Sequence, residues 1–411
     1  NRMAPKSRRR FLREAATSGL TATLALPASA KLVPHESRSV NTGTHAVPLN
    51  GEWVFKLDPQ GIGESEGWHR RQTLDEGWTE VLVPHTWQIF PDTAEYHGIA
   101  WYRRDFYAGQ AWSEQRTRVE FEAVYHSATV WLNGKPIGKH LRKGYTSFTL
   151  DLSPALKAGG TNTLVVKVDN SFDENMLPRG RSFDWTSDGG ITRPVRLLVT
   201  PGTFIDRVDV DAQPDLASAL AHLDVRVAVR NTAKETAQLG VTYRIFEEQS
   251  EELVLEKKNA VQASLSPESQ ETISLPGFTM ERPHLWHFDH PHLYRLEVEI
   301  ERDGEPVHSC STIFGVRKIE VKGSGIYLNG ERVWLMGVER MAGSNPHYGM
   351  AEPAEWIEHD HRDLSELNCM LTRVHWQQDK RVLDYCDRQG LLIQEEVPTW
   401  GPDTFKGMVN E

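Results

Sequence analysis

Two short apolar runs, Met370-Leu-Thr-Arg-Val-His-Trp376 and Leu391-Leu-Ile-Gln-Glu-Glu-Val397, begin 21 residues apart and constrain this chain more than any other feature. Between them Val382, Leu383 and Cys386 form a helical stripe that Gly390 ends, so the spacing predicts one strand, helix, strand unit of a parallel sheet. Parallel strands are buried on both faces. Ionisable residues late in such strands are costly unless they line a ligand site, which in α/β folds lies at the C-terminal strand ends. Arg373 and His375 share one face by the two-residue period, and Glu395 and Glu396 close the neighbouring strand. Two readings fit: a site for a polyol or sugar, or a buried ion pair joining Arg373 and His375 to Glu395 or Glu396.

With 411 residues the chain is too long for one ordinary core and implies two or three domains. From about 46 to 202 it reads as short strands and turns. Val119, Phe121 and Ala123 alternate with Arg118, Glu120 and Glu122, and Asn133-Gly134 suits a type I′ hairpin because both residues accept positive φ. A jelly-roll β-sandwich fits. From 203 to 318 a second alternating block, with Leu223, Val225, Val227 and Val229 on one face, has the length of an immunoglobulin-like sandwich. Beyond 319 the pattern becomes a hairpin at Asn329-Gly330, a buried strand at Trp334–Val338, a helix over 353–368 and then the parallel unit. A (β/α)₈ barrel takes about 250 residues. Residues 319–411 therefore hold about three of its eight strands, and the chain reads as truncated.

The N-terminus carries Ser7-Arg-Arg-Arg-Phe-Leu-Arg13, a weakly apolar run from Ala15 to Leu26, and Ala28-Ser29-Ala30. Charge, apolar run and small residues follow the order of a twin-arginine export signal over residues 1–30, with 31–45 as linker and a periplasmic or extracellular destination. Residues 1–30 hold six Lys/Arg and one Glu, so the processed chain would carry a net charge of −16 rather than −11. Such acidity disfavours nucleic acid and anionic membrane as partners. Cys310, Cys369 and Cys386 are odd in number and widely spaced, and imply no disulfide framework.

The runs Gly337-Val-Glu-Arg340, Asn345-Pro-His-Tyr-Gly349, Asn368…Arg373-Val-His375, Tyr385-Cys-Asp387…Gly390-Leu-Leu-Ile and Glu396-Val-Pro-Thr-Trp-Gly401 together resemble glycoside hydrolase family 2. Upstream, Val83-Pro-His-Thr-Trp87, Trp101-Tyr-Arg-Arg104, Val130-Trp-Leu-Asn-Gly134, Asp184…Gly189-Gly-Ile-Thr-Arg193 and Pro283-His-Leu-Trp286 extend the likeness in the same order, over roughly 46–411. This is the group of β-galactosidases, β-glucuronidases and β-mannosidases. The resemblance implies a jelly roll, an immunoglobulin-like sandwich and the start of a TIM barrel. It also implies retaining hydrolysis of terminal β-linked sugars in an oligosaccharide or glycoside, without a cofactor.

Glycoside hydrolysis needs two carboxyl groups about the scissile bond, held about 5 Å apart in retaining enzymes. The resemblance places them on the fourth and seventh barrel strands, beyond Glu411. Asn410-Glu411 imitates the family's acid/base pair, but Pro398, Gly401, Pro402 and Gly407 leave no helix that could bring it to a fourth strand. No catalytic residue is therefore assigned within the chain. The resemblance implies that Arg373 and His375 line the pocket, with Glu396 and Glu395 beside them, and that Asp184 reaches in from the first sandwich. An Asx turn is the alternative for Asp184. Val374-His375-Trp376-Gln377 departs from the family's usual Ser-His-Tyr-Pro, which bears on the identity of the sugar. His284, His287, Asp289, His290 and His292 are tempting as metal ligands, but their spacing matches no zinc loop and no metal site is assigned. A non-catalytic carbohydrate-binding protein is the main alternative function, and a structural cell-surface module is a third.

Overall fold

The computed structural model describes residues 43–71, 74–172, 175–177 and 186–399. The proposed export signal, Asp184, Trp185 and Glu411 lie outside the described residues.

The first unit packs two antiparallel sheets. Strands His45–Pro48, Val195–Thr200, Arg116–Phe121 and Phe148–Asp151 form one. The other runs Thr79–Val83, Gly51–Asp58, Ile99–Ala108, Gly160–Asp169, Ser127–Leu132, Lys135–His140. Alternation drives the packing: Trp53, Tyr102, Val119, Phe121, Val166 and Leu197 fill the space between the sheets. Each fully buried side chain of this size contributes about 1.5–3 kcal/mol. The six-stranded sheet is also covered outside, where Trp101 stacks on Trp131 at 5.3 Å beside Trp68. The Asn133-Gly134 turn joins Ser127–Leu132 to Lys135–His140 with φ of 53° and 78°, as its residue types require.

In the second unit Leu220–Asn231 pairs with Thr203–Asp215, Ser269–Ser274 and Phe278–Glu281. The facing sheet is ordered Leu253–Leu265, Ala237–Glu247, Tyr294–Arg302, Glu305–Phe314. Leu223, Val225, Val227 and Val229 face Leu296, Val298 and Ile300 across its core, as their alternation predicts.

The third unit opens with a three-stranded antiparallel sheet, Ile319–Lys322, Gly325–Leu328 and Glu331–Val333, its second turn made by Asn329 and Gly330 at φ of 51° and 79°. Three parallel strands follow: Gly337–Glu339, Leu371–Val374 and Leu392–Glu395. Helix Ala354–Glu366 links the first two and buries Ile357, His361 and Leu364, four and three residues apart on one stripe. Helix Lys380–Gln389 links the second pair. Asp379 caps it by accepting from the Arg381 amide at 2.8 Å, and Gly390 ends it at φ 73°. A Cβ on Gly390 would stand 2.3 Å from the Phe288 carbonyl oxygen, so the glycine also permits close contact with the second unit.

Two details differ from the sequence expectation. The first barrel strand is Gly337–Glu339, and Trp334, Met336 and Val338 are exposed rather than buried. That strand pairs with Leu371–Val374 on one side and has no second neighbour among the described residues, which leaves its flanks uncovered. The helix between the first two parallel strands stops at Glu366, two residues short of the 353–368 expected, and Leu367 beyond it is 68% exposed. Asn368 then takes φ 59°, a left-handed turn that redirects the chain into the strand.

Candidate functional site

Parallel register sets the site. Glu339 lies opposite Arg373, and Arg373 opposite Gln394, so the ends of the three strands stand side by side. Thr372 and Val374 point into the interior, fully buried. Arg373 and His375 therefore share the open face, as the two-residue period requires. There His375 Nε2 lies 2.6 Å from one oxygen of Glu339, and Arg373 Nη1 donates to the other at 2.9 Å. From its opposite edge Arg373 donates to both oxygens of Glu396, at 2.6 and 3.1 Å. This fork-to-fork pairing is the geometry in which guanidinium and carboxylate bind most strongly. Hydrogen bonding to Arg373 holds the Glu396 carboxyl below its usual range, and the same bond raises the guanidinium.

Among the described residues the Arg373–Glu396 pair, one partner choice that the sequence left open, forms on a face that stands open. The Arg373, Glu339 and Glu396 side chains are 40%, 37% and 32% exposed, and His375 is 14% exposed. Glu395 stands apart. It accepts from the Gln378 amide at 2.6 Å and makes no bond to Arg373 or His375. Glu339 was not singled out in the sequence, although it is the third residue of the run Gly337-Val-Glu-Arg340. Its neighbour Arg340 points into the interior, held by both oxygens of Glu352 at 2.9 Å and by Asp360 at 2.6 Å. Those two carboxylates outweigh burial and keep the guanidinium charged, so this arginine is structural.

Loops of the first sandwich roof this end of the sheet. Trp376, fully buried, stacks on Tyr145 with ring centroids 4.4 Å apart and planes 9° from parallel. Tyr125, Met176 and Met350 complete the cluster. Arg193 reaches across, donating to the carbonyls of Tyr145 at 3.1 Å and Gln377 at 2.7 Å. Asp188 accepts from the Met350 amide at 3.0 Å, and burial pushes its carboxyl up. Asp188 is four residues past Asp184, the sequence-predicted sugar ligand, so the described flank of that loop is anchored to the barrel.

The histidine-rich turn belongs to another face. His287 and His290 exchange backbone hydrogen bonds, the His284 ring lies 5.0 Å from that of His292, and His284 Nε2 is 3.4 Å from Glu247. Trp286 in the same turn donates to the Asp387 carbonyl at 2.8 Å, docking the second sandwich on the helix Lys380–Gln389. Among the described residues no three His, Cys, Asp or Glu side chains are placed to hold a metal ion.

Sequence profiles match in the same order. Residues 47–201 match the profile "Glycosyl hydrolases family 2, sugar binding domain", 203–317 "Glycosyl hydrolases family 2", and 319–410 "Glycosyl hydrolases family 2, TIM barrel domain". A putative β-glucuronidase of Formosa agariphila is 29% identical over 354 residues, covering 82% of this chain and 41% of that protein. A β-galactosidase of Thermoanaerobacter pseudethanolicus is 27% identical over 384 residues, covering 90% of this chain and 49% of the relative. The crystal structure of Bacteroides uniformis β-glucuronidase superposes with a TM-score of 0.78 at 28% identity, over 86% of this chain and 42% of that one. The chain thus spans less than half the length of these relatives. Three consecutive profiles of one family, and a fold shared with its enzymes, show that the chain belongs to glycoside hydrolase family 2.

Proposed function

We infer that this chain supplies the substrate-binding portion of an exported glycoside hydrolase that cleaves terminal β-linked sugars by a retaining double displacement. The observation that carries this reading is the open Glu339, Arg373, His375 and Glu396 cluster at the C-terminal ends of three parallel strands, roofed by the first sandwich. The C-terminal ends of parallel strands are where α/β folds bind ligands. Carboxylates and an imidazole on one face offer acceptors and donors to vicinal hydroxyls, and Arg373 fixes the position of both carboxylates. On the family resemblance alone the same role extends to Asp184, which lies outside the described residues. Glu395, turned to Gln378, acts through that segment rather than on the sugar.

The two carboxyl groups of the reaction belong to the fourth and seventh barrel strands, after Glu411. One protonates the leaving oxygen while the other attacks the anomeric carbon, and water then releases the covalent glycosyl-enzyme. Relatives named β-glucuronidase and β-galactosidase frame the substrate as a β-glycoside of a hexose or its uronate. Export through the twin-arginine route suits a folded cargo whose three cysteines are free thiols. Nucleic acid and membrane are not partners in this account.

The test is hydrolysis of aryl β-galactoside and β-glucuronide by a chain extended through the remaining barrel strands. Turnover with retention at the anomeric carbon supports the reading, whereas sugar binding without turnover by the complete barrel favours the non-catalytic alternative. The 411-residue chain itself should show no turnover; activity abolished by Glu395→Gln or Glu396→Gln would overturn the placement of the catalytic groups.

A further inference from the structure

A second concavity, of about 500 Å³, lies between the first sandwich and the loop after the first barrel strand. Its lining includes Glu52, Glu80, His85, Phe90, His347 and Tyr348, and none of the residues of the Arg373 cluster. Glu52 lies directly opposite Leu82 and Val54 opposite Glu80, so one wall is the outer face of an edge strand and its neighbour. The other wall is held in place. Met350 donates to Asp188, and a Cβ on Gly349 would stand 2.3 Å from the same carboxylate, so the loop carrying His347 and Tyr348 is packed closely on the sandwich.

Three features give this groove the character of a ligand site. Phe90 is 49% and Tyr348 37% exposed, two aromatic faces in a concave setting. No lysine or arginine lines it, and the Glu80 carboxylate makes no hydrogen bond or ion pair among the described residues. His85 is 94% buried. Its Nδ1 is paired with the Tyr102 hydroxyl at 2.8 Å while Nε2 has no hydrogen-bond partner among the described residues. Burial lowers this imidazole to about 4, so it is neutral at pH 7. A neutral ring with one nitrogen engaged offers, by tautomer, either an acceptor or a donor at Nε2, and a hydroxyl group satisfies both. An apolar surface with a few convergent polar groups is the usual make-up of a small-molecule site.

We propose that this groove is a second carbohydrate site, distinct from the strand-end cluster, which takes a neutral pyranose with its apolar face on Phe90 or Tyr348 and its hydroxyls on Glu80, Glu52 and His85 Nε2. Two carboxylates with no lysine or arginine in the lining disfavour anionic sugars, so the site holds an uncharged unit of a glycan. Phe90 packs against His85 with ring centroids 6.1 Å apart, and since Nε2 is buried in the empty groove, a hydroxyl reaches it only if the surrounding side chains shift. The proposal does not depend on hydrolysis at the other site.

Calorimetric titration of the 411-residue chain with lactose, cellobiose and digalacturonate tests it. Lactose or cellobiose should bind saturably in the millimolar range, and digalacturonate about tenfold more weakly or not at all. Phe90→Ala and Glu80→Gln, both at exposed positions, should each weaken neutral binding at this groove about tenfold with unchanged Tm, whereas Tyr107→Ala, an exposed aromatic outside the groove lining, should leave it within about twofold. Absence of saturable binding, or binding indifferent to Phe90→Ala, overturns the proposal. Loss of binding in His375→Ala would move the sugar to the strand-end cluster. Concentration-dependent self-association abolished by Phe90→Ala, without sugar binding, would make the groove a contact between copies of the chain.

Discussion

Arg193 Nη2 donates to the Gln377 carbonyl oxygen at 2.7 Å, and this bond ties the first sandwich to the segment that carries His375. The guanidinium is buried, and burial lowers its pKa against the pull of Asp379, 4.0 Å away. Its Nη1 serves the Tyr145 carbonyl, so one side chain satisfies acceptors from two domains. Arg193→Gln should destabilise the protein by about 2–4 kcal/mol, because it strands buried acceptors and leaves Asp379 with less compensation. Urea unfolding measures this; a loss below about 0.5 kcal/mol would show that the sandwich is held by other contacts.

Gly390→Ala should cost about 2–4 kcal/mol through both its positive φ and the contact with Phe288. The effect should localise. Hydrogen exchange would rise in helix Lys380–Gln389 and in the Trp286–Phe288 turn, and not in the first sandwich. Uniform loss of protection instead would mean that the three units unfold as one.

Acid should weaken the fold through its buried neutral histidines. His308 Nδ1 accepts from the Ile205 amide at 3.2 Å and its Nε2 lies 2.7 Å from Thr44, which fixes the ring as neutral. Burial lowers both His308 and His85 to about 4. The folded state therefore refuses a proton that the unfolded chain accepts near pH 6.5, so stability is full above that pH and falls as pH drops from 6.5 towards 4. Each residue accounts for about 3 kcal/mol at most. His308→Gln should flatten the slope of stability against pH in this window; an unchanged slope would place the acid sensitivity elsewhere.

Glu339→Gln should alter stability by less than about 1 kcal/mol, since Glu339 and Arg373 are both exposed to solvent, yet it removes the carboxylate that Arg373 and His375 share. Sugar affinity of the complete enzyme should fall about tenfold or more. Equal affinity in the variant would make Glu339 a bystander.

The sequence carried local geometry well. Asn133-Gly134, Asn329-Gly330 and Gly390 each take the positive φ that their residue types suggest, and the alternation of Leu223 to Val229 marks a buried face. Arg373 and His375 do share a face because that follows from strand period alone. What a single sequence does not contain is register between strands far apart. Glu339 meets Arg373 only because Gly337 pairs with Leu371, and nothing near either residue encodes that pairing. The divergent partners of Glu395 and Glu396 have the same origin: neighbours on a strand face opposite ways, and the folded chain decides which face holds Arg373. Exposure of Trp334 and Met336 was likewise not legible, since apolar residues flanking a strand look the same whether or not a neighbour covers them.

The central claim is that His375 lies in the sugar pocket of a family 2 hydrolase. Its most direct test is kcat/KM of the complete enzyme on an aryl β-glycoside, wild type against His375→Ala. A hydrogen bond to a sugar hydroxyl that strengthens in the transition state predicts a loss of about 100- to 1,000-fold with unchanged Tm. A change of less than about threefold would put His375 outside the pocket and contradict the account.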